Sequence, residues 1–417
     1  TPLRFGFWEQ GQDSRAGLRG DERMAEELTL SAELGFRVRW YVEGRARFVA
    51  PVFPTTEQGE PTAPTKSPVF YNPFSSLSRD LTVLLARVFD REAVVAEPLA
   101  GSGVRAIRLL LETSNVSKAV LNDINPNAVK VMKLNAEHNN VLDRVEVHQG
   151  DAAVFLTAHS NPGTRFYYVD VDPVGPPARF VENSLRACET GGYLGVSATD
   201  LASLVGNHPK TCLRKYGVLA GKSFFAKEAA LRLLASHVIL RGCSLNIAPS
   251  PILSVYHRHF VRVFFKVLRG RSKCISLLKN VGWIQACSSL HISQHPITSP
   301  PGATCSTCGG KASVIGPAWL GPLHDTATVE KMVEQAGEYP DALKTLRKIV
   351  EEVDVVGFYP VDQLARVAGG KPPSPLNLVT ALRELGYSAS TTHVDPTAVK
   401  TNAPPNELLR LAKSFVG

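Results

Sequence analysis

The sequence predicts an α/β protein, with a Rossmann-like, doubly wound parallel sheet followed by a smaller α+β domain. Three observations predict it. From Ala93 onward short apolar runs alternate with helical segments: "AVVAEPL", "GVRAIRLLLETS", "AVLNDI", "NAVKVMKLNAEHN", "RVEVHQGD", "FYYVDVDP" and "GGYLGVSATD". Strands separated by crossover helices imply a parallel sheet. Gly101 and Gly103 mark a tight turn from the first of these strands into its helix. After about residue 270 the alternation stops, and a cysteine-bearing segment leads into short helices.

In chain order, residues 1–40 form an N-terminal extension with one plausible helix, "DERMAEELTLSAELGF", to which no role attaches. "PVFPTTEQGEPTAPTKSPVF" reads as a loop over the surface. "YNPFSSLSRDLTVLLARVF" reads as a serine-capped helix entering a core. Residues 41–268 make up the α/β domain, and "SLNIAPS" and "HFVRVFFKVL" could close its sheet as an edge pair. Residues 269–417 form a second domain: a cysteine segment, 274–325, and then a helical tail, 326–417. The tail resembles helix-and-wing modules that dock nucleic acid, although short helical domains also occur without that role. No internal repeat is present.

At 417 residues the chain is long enough for two or more cores. With 44% hydrophobic and 20% charged residues it is not a disordered chain. No apolar run reaches the roughly 18 residues of a membrane span, and the first residues lack a secretory layout. A cytoplasmic protein with no membrane partner, and a monomer, is expected. A net charge of +8 favours a polyanionic partner, though many basic proteins bind no nucleic acid. Seven cysteines, an odd number, argue against a disulfide framework and leave metal binding open.

The chemistry lies at the strand ends. In "AEPLAGSGVRAIR" Glu97 ends a strand, and Gly101 and Gly103 let backbone pass close to a ligand; a bare strand-to-helix turn has the same pattern. The next strand ends with Asp123 and Ile124, the aspartate placed for the two hydroxyls of a ribose. The third ends with Asp151 and Ala152, where the acid could accept from an adenine amino group. The fourth ends in "YYVDVDPVGPP", with Asp170 and Asp172. Ligands of open α/β sheets sit outside the carboxyl ends of the strands, so these acids converge on one edge. There is no phosphate loop of the G-x-x-x-x-G-K-[ST] type, and the third glycine of a dinucleotide fingerprint is replaced by Ala106. An acidic edge suits a cofactor that is positively charged and lacks phosphate. S-adenosylmethionine fits, and a nicotinamide dehydrogenase is the weaker rival.

An acid before proline then has a use. The exocyclic amine of a base is a poor nucleophile, and a carboxylate accepting its N–H both aims the lone pair and takes up developing charge. Asp172 abuts the Pro173 turn and is the expected catalytic residue, with Asp170 on the same face in support. A capped polar turn would look similar.

At this point the chain resembles the tRNA guanine-26 N2-dimethyltransferases, from about Glu43 to the C-terminus. The matching stretches include "EGRA", "FYNPFSSLSRD", "GSGVRAIR", "NDINP", "DVDPVG", "SATDLASLVGNHPKTCLRKYG", "CSTCGGKASVIGPAWLG" and "GYSASTTHVDPTAVKTNAP". The resemblance implies a class I S-adenosylmethionine-dependent methyltransferase. It would act on N2 of a guanine in tRNA, giving N2-methyl- and N2,N2-dimethylguanosine. Phe70 would lie against the guanine, and Arg79 would reach the cofactor's carboxylate. Arg105, Asp123 and Asp151 match cofactor-binding positions, and Asp172 the catalytic one. The chain departs from the family at Val174, where a phenylalanine usually helps sandwich the base; losing that face could cost roughly 1–3 kcal/mol. The rivals are a methyltransferase for an amino group of another RNA or DNA base, and an RNA-binding protein on an inactive scaffold.

"CSTC", Cys305 to Cys308, is half of a zinc knuckle. Upstream, "CSSLHISQH" offers Cys287 and has Leu290 where relatives often place a second cysteine. His291 or His295 could complete a structural Cys3His zinc site; a metal-free loop is the alternative. For RNA, "HPKTCLRKYGVLAGKSFFAK" collects Lys210, Arg214, Lys215, Lys222 and Lys227 among aromatics. "YHRHFVR" adds His257, Arg258 and Arg262, and the tail adds Lys400 and Thr401. Helix faces often carry such charges with no partner. His257 and His259 alternate along an expected strand, packed or solvated.

Overall fold

The computed structural model describes residues 20–52 and 67–415, so most of the proline-rich loop expected after residue 51 lies outside the described residues. Helix α1 (Gly20–Leu34) precedes a hairpin of β1 (Val38–Glu43) and β2 (Ala46–Pro51). A 3-10 turn at Pro73–Ser75 then leads into α2 (Ser76–Arg87). The cap differs from expectation: Ser75 makes no side-chain cap, and Asn72 Oδ1 accepts the Phe74 N–H at 3.0 Å. Pro73 follows, where a missing N–H costs nothing.

The α/β core comprises β3 (Ala93–Glu97), α3 (Val104–Glu112), β4 (Val116–Asp123), α4 (Pro126–His138), β5 (Val145–Gln149), α5 (Ala152–Ala158), β6 (Phe166–Val171), α6 (Ala178–Ala187) and β7 (Cys188–Ala198). It continues through α7 (Leu201–Leu204), α8 (Pro209–Tyr216), α9 (Ala226–Ser244), β8 (Ile247–His257) and β9 (Phe260–Arg269). The seven strands are ordered β5-β4-β3-β6-β7-β9-β8. Strands β3 to β7 pair in parallel, and β9 runs antiparallel to both β7 and β8, which is the expected edge pair. The order reverses between β3 and β6, the place where such sheets bind ligands. Every residue of β6, "FYYVDV", is buried, because helices cover both faces of a parallel sheet. An aspartate inside that strand has to be ion-paired.

Beyond α10 (Arg271–Leu278), β10 (Val281–Cys287), β11 (Ile292–Pro296) and β12 (Ala312–Trp319) form an antiparallel sheet. Then come α11 (Thr326–Glu334), α12 (Pro340–Glu351), β13 (Tyr359–Pro360), α13 (Val361–Ala368), α14 (Pro375–Glu384), β14 (Ala389–Thr391), β15 (Ala398–Thr401) and α15 (Pro405–Ser414). Helices α13, α14 and α15 with strands β13 to β15 form a unit whose core includes Leu364, Leu378, Leu382, Val399 and Leu408. It is shorter than the expected 326–417 module: Val329 and Met332 of α11 and Leu346 and Ile349 of α12 pack instead into the core around α2, β3 and β4. Helical spacing shows that a helix has an apolar stripe, not which surface receives it.

Candidate active site

A cavity of about 840 Å³ opens outside the carboxyl ends of β3, β4 and β6, with Phe70, Gly101, Asp123, Asp172 and Val174 in its lining. An adjoining recess of about 40 Å³ shares Phe70 and Asp172 and adds Arg79, Glu97, Arg105 and Asp170. Gly101 makes this closeness possible. At φ +55° its backbone sits so near that an added Cβ would lie 2.6 Å from the Phe70 carbonyl oxygen. Its N–H donates to Asp123 Oδ2 at 2.9 Å, and Asn125 N–H donates to Oδ1 at 2.9 Å, so the Asp123 carboxylate is held facing the cavity. Gly103, at φ +75°, starts α3.

The two aspartates of the fourth strand have separate environments. Asp170 is buried; Arg262 Nη2 and the Tyr168 hydroxyl both donate to its Oδ2, and Arg105 Nε lies 3.5 Å from Oδ1. Burial opposes its charge, but the Arg105 and Arg262 guanidiniums prevail and lower its pKa. Asp172 keeps 28% side-chain exposure, accepts from Arg105 Nη2, and lies 3.9 Å from Arg262 Nη1. Arg105 and Arg262 both also donate to Thr82 Oγ1, at 2.8 and 3.0 Å. Arg262 corrects an expectation: it is fully buried and braces the acids rather than facing RNA.

Glu97 is buried, and among the described residues its Oε1 has no hydrogen-bond partner. Burial, reinforced by Asp170 and Asp172 and only partly offset by Arg105, pushes its pKa up to about 8. An orphaned carboxyl oxygen beside the Asp123 cradle fits a cofactor with cationic and hydroxyl groups, as S-adenosylmethionine has. Arg79 is also buried, and its fork closes on Glu43, with Nε–Oε1 at 2.6 Å and Nη2–Oε2 at 2.5 Å. Burial raises Glu43, but Arg79 and Arg108 hold it down at about 2. Nothing local in the sequence gives Glu43 this role beyond its place in the "EGRA" stretch.

Four expected cofactor positions, Gly103 among them, line neither space. Ile124 is exposed beside Asp123. Asp151 Oδ1 caps α5, accepting from Ala153 N at 2.8 Å and Val154 N at 3.2 Å, and Ala152 is buried in the core. His259 lies in the β8–β9 turn rather than along a strand, and its Nε2 accepts from Asn72 Nδ2 at 3.1 Å. The phenylalanine–asparagine loop is thereby fastened over the recess.

The cysteine segment brings one atom each from Cys287, His291, Cys305 and Cys308 within 4.8 Å of one another. Cys287 Sγ is 3.4 Å from His291 Nδ1 and 3.8 Å from Cys308 Sγ. His295 is not part of the group and pairs with Ser293 at 3.0 Å. A Cys3His donor set at this spacing fits tetrahedral zinc.

Of the expected RNA residues, Lys210 and Arg214 are exposed on α8. Lys215 lines the cavity and pairs with Asp200 at 2.9 Å. Lys227 pairs with Asp395 at 2.9 Å. Lys400 is a correction: it is 3% exposed and bound to Glu228 at 3.0 Å, with Glu352 at 4.0 Å, and Thr401 is buried beside it. It holds β15 to α9 and is not on the surface.

Residues 45–413 match the family of N2,N2-dimethylguanosine tRNA methyltransferases. The tRNA (guanine(26)-N(2))-dimethyltransferase of Methanothermobacter thermautotrophicus is 34% identical over 354 residues, 82% of this chain and 92% of that one. The tRNA (guanine(26)-N(2)/guanine(27)-N(2))-dimethyltransferase of Aquifex aeolicus is 34% identical over 381 residues, covering 88% and 94%. The structure of Trm1 from Pyrococcus horikoshii with S-adenosyl-L-methionine superposes with a TM-score of 0.76 at 29% identity, covering 89% of this chain and 99% of that one.

Proposed function

The chain belongs to the N2,N2-dimethylguanosine tRNA methyltransferase family, and from that premise we propose that it methylates the exocyclic N2 of a guanine in tRNA, position 26, giving N2-methyl- and N2,N2-dimethylguanosine. It is an S-adenosylmethionine-dependent enzyme of the class I fold. The observation that carries the reading is that Asp172 and Asp123 line one cavity at the switch point of the sheet. S-adenosylmethionine supplies an electrophilic methyl group on a sulfonium. Asp123, held by two backbone N–H groups, offers its carboxylate to the ribose hydroxyls. Glu97 faces the cationic part. Phe70 lies along one side of the base and Val174 along the other, both on the cavity wall.

Asp172 accepts an N–H of the guanine amine, which turns the nitrogen lone pair toward the methyl carbon and receives the proton's charge as the new bond forms. Arg105 fixes the carboxylate's orientation without burying it. Asp170 acts through the arginines it shares with Asp172. The exposed Lys210 and Arg214, with Lys215 at the cavity, supply part of an RNA-facing surface. Cys287, His291, Cys305 and Cys308 would hold a structural zinc that fastens the β10–β11 turn to the 305–308 loop.

The test incubates the protein with labelled S-adenosylmethionine and an unmodified tRNA transcript bearing guanine 26, with nucleosides resolved by mass spectrometry. Dimethylguanosine that disappears in Asp172→Ala is the expected result. Cofactor binding without transfer to any tRNA would remove the assignment.

A further inference from the structure

The large cavity has two chemically unlike sides. On one, Gly101, Asp123 and Asp172 present backbone and carboxylates. On the other, past Pro176, the lining comes from α6, α8 and α9 and brings in Arg179, Lys215 and Arg241. Helices α6 and α9 pack against each other, so the two arginines stand on neighbouring elements. Lys215 is already neutralised by Asp200 at 2.9 Å. Arg179 and Arg241 are exposed, and neither is ion-paired to a carboxylate among the described residues. Glu182, the acid on this side, pairs with Arg186 at 3.2 Å. The Arg179 guanidinium lies over the Phe180 ring at 4.3 Å, a contact that steadies the fork and leaves its in-plane N–H donors available.

A polyanion meets a problem at this site, because the acids that serve the amine and the cofactor repel phosphate. Two unpaired guanidiniums in the same cavity resolve it. A base seated at Asp172 carries its phosphates on the far side of its sugar, and arginine forks match phosphate oxygens in pairs. Resting on the tRNA reading above, we propose that Arg179 and Arg241 form a subsite for a backbone phosphate adjoining the target guanosine. The subsite draws the nucleotide into the cavity and sets how far its amine reaches toward Asp172.

The test pairs chemistry on the RNA with a double variant. tRNAs carrying one uncharged methylphosphonate at either linkage flanking the target guanosine are assayed with the wild type and with Arg179→Gln/Arg241→Gln. For the wild type, one of the two linkages should lower kcat/KM about tenfold or more, the scale of a charged hydrogen bond. The double variant should be slower by a similar factor on unmodified tRNA, indifferent to that linkage, and unchanged in S-adenosylmethionine affinity. The slope of log(kcat/KM) against log[salt] should flatten by about 1. If the losses from variant and methylphosphonate simply multiply, or neither linkage matters to the wild type, the subsite is wrong although the enzyme still methylates tRNA. Absence of transfer to unmodified tRNA by the wild type would overturn both readings.

Discussion

Lys400 separates an RNA contact from a structural brace. Its ammonium lies 3.0 Å from Glu228 Oε2 and 4.0 Å from Glu352 Oε2, and the lysine and both acids have side-chain exposures of 4% or less. Glu228 also receives Arg232 Nε at 2.8 Å and the Gly357 N–H at 2.7 Å, and Glu352 receives His393 Nδ1 at 2.6 Å. Removing one partner of a buried pair costs about 3–5 kcal/mol. Since each acid here keeps another donor, Lys400→Met should fall near the lower figure, about 3 kcal/mol. For a cooperative unit of 150–250 residues that is roughly 6–12 °C in Tm. Lys400→Met/Glu228→Gln also strips the buried Arg232 of its carboxylate, so the loss should deepen rather than return. Differential scanning calorimetry measures the Tm, and filter binding measures tRNA affinity at a temperature where the variant is folded. An unchanged Tm with weakened tRNA binding would refute the buried-brace argument and put Lys400 back on the RNA.

Four other outcomes are expected. A cofactor cation that pairs with Glu97, raised to about 8, displaces its proton. S-adenosylmethionine affinity should therefore climb with pH to about 8 and then level, and calorimetry at pH 7 in buffers of different ionisation enthalpy should record close to one proton released, absent in Glu97→Gln. Val174→Phe restores a stacking face worth roughly 1–3 kcal/mol, so KM for tRNA should fall by about 5- to 150-fold, and the product should shift toward dimethylguanosine; an unaltered product ratio counts against Val174 as a base contact. Elemental analysis should find about one zinc per chain, lost in Cys305→Ser together with thermal stability, and metal-free wild type that is equally stable defeats the site. Burial raises Glu228 and Glu352, but Lys400 with Arg232, and His393 with Lys400, bring both down to about 2. Their folded values lie below the unfolded value of 4.5, so their stabilisation is complete above that pH and is lost as pH falls from about 4.5 to 2; acid titration followed by circular dichroism should show it, with a smaller acid loss in Lys400→Met.

The sheet was legible because both-face-buried strands are apolar throughout and end abruptly in an acid, a glycine or a proline. Side-chain partners were not. Asp170 and Arg262 are 92 residues apart, and Lys400 and Glu228 are 172 apart, and no local period encodes such a meeting. A lysine in "TAVKT" and an arginine in "HFVRVFF" have the same spacing whether they meet water, RNA or a buried carboxylate. One clue was present: α9, "AKEAALRLLASHVIL", is apolar except for a few groups, with Glu228 and Arg232 four residues apart. An isolated charged pair on an otherwise apolar helix marks a buried ionic cluster that needs further members. The cysteine set was half legible for a similar reason. Spacing gave Cys305 and Cys308, whereas the choice of His291 over His295 depended on the turn at Leu290, whose φ is +66°.

The second aspartate of "YYVDVDPVGPP" also explains Glu97. Arg105 and Arg262 bring two positive charges to the strand ends, and Asp170 and Asp172 bring two negative ones. Asp170 takes the fully buried share, which anchors both guanidiniums and leaves Asp172 fixed but open to the cavity. With those four charges balanced, burial and the two neighbouring aspartates outweigh Arg105 and push the Glu97 carboxyl up to about 8. A cation seated beside Glu97 would let it ionise, and a sulfonium cofactor brings one. Were a nicotinamide dinucleotide the ligand, its pyrophosphate would enter a space that Asp172 and Glu97 line, with no unpaired cation on that side of the cavity among the described residues. A Glu97 carboxyl that ionises more readily beside a cation thus favours a sulfonium cofactor at this acid-rich edge.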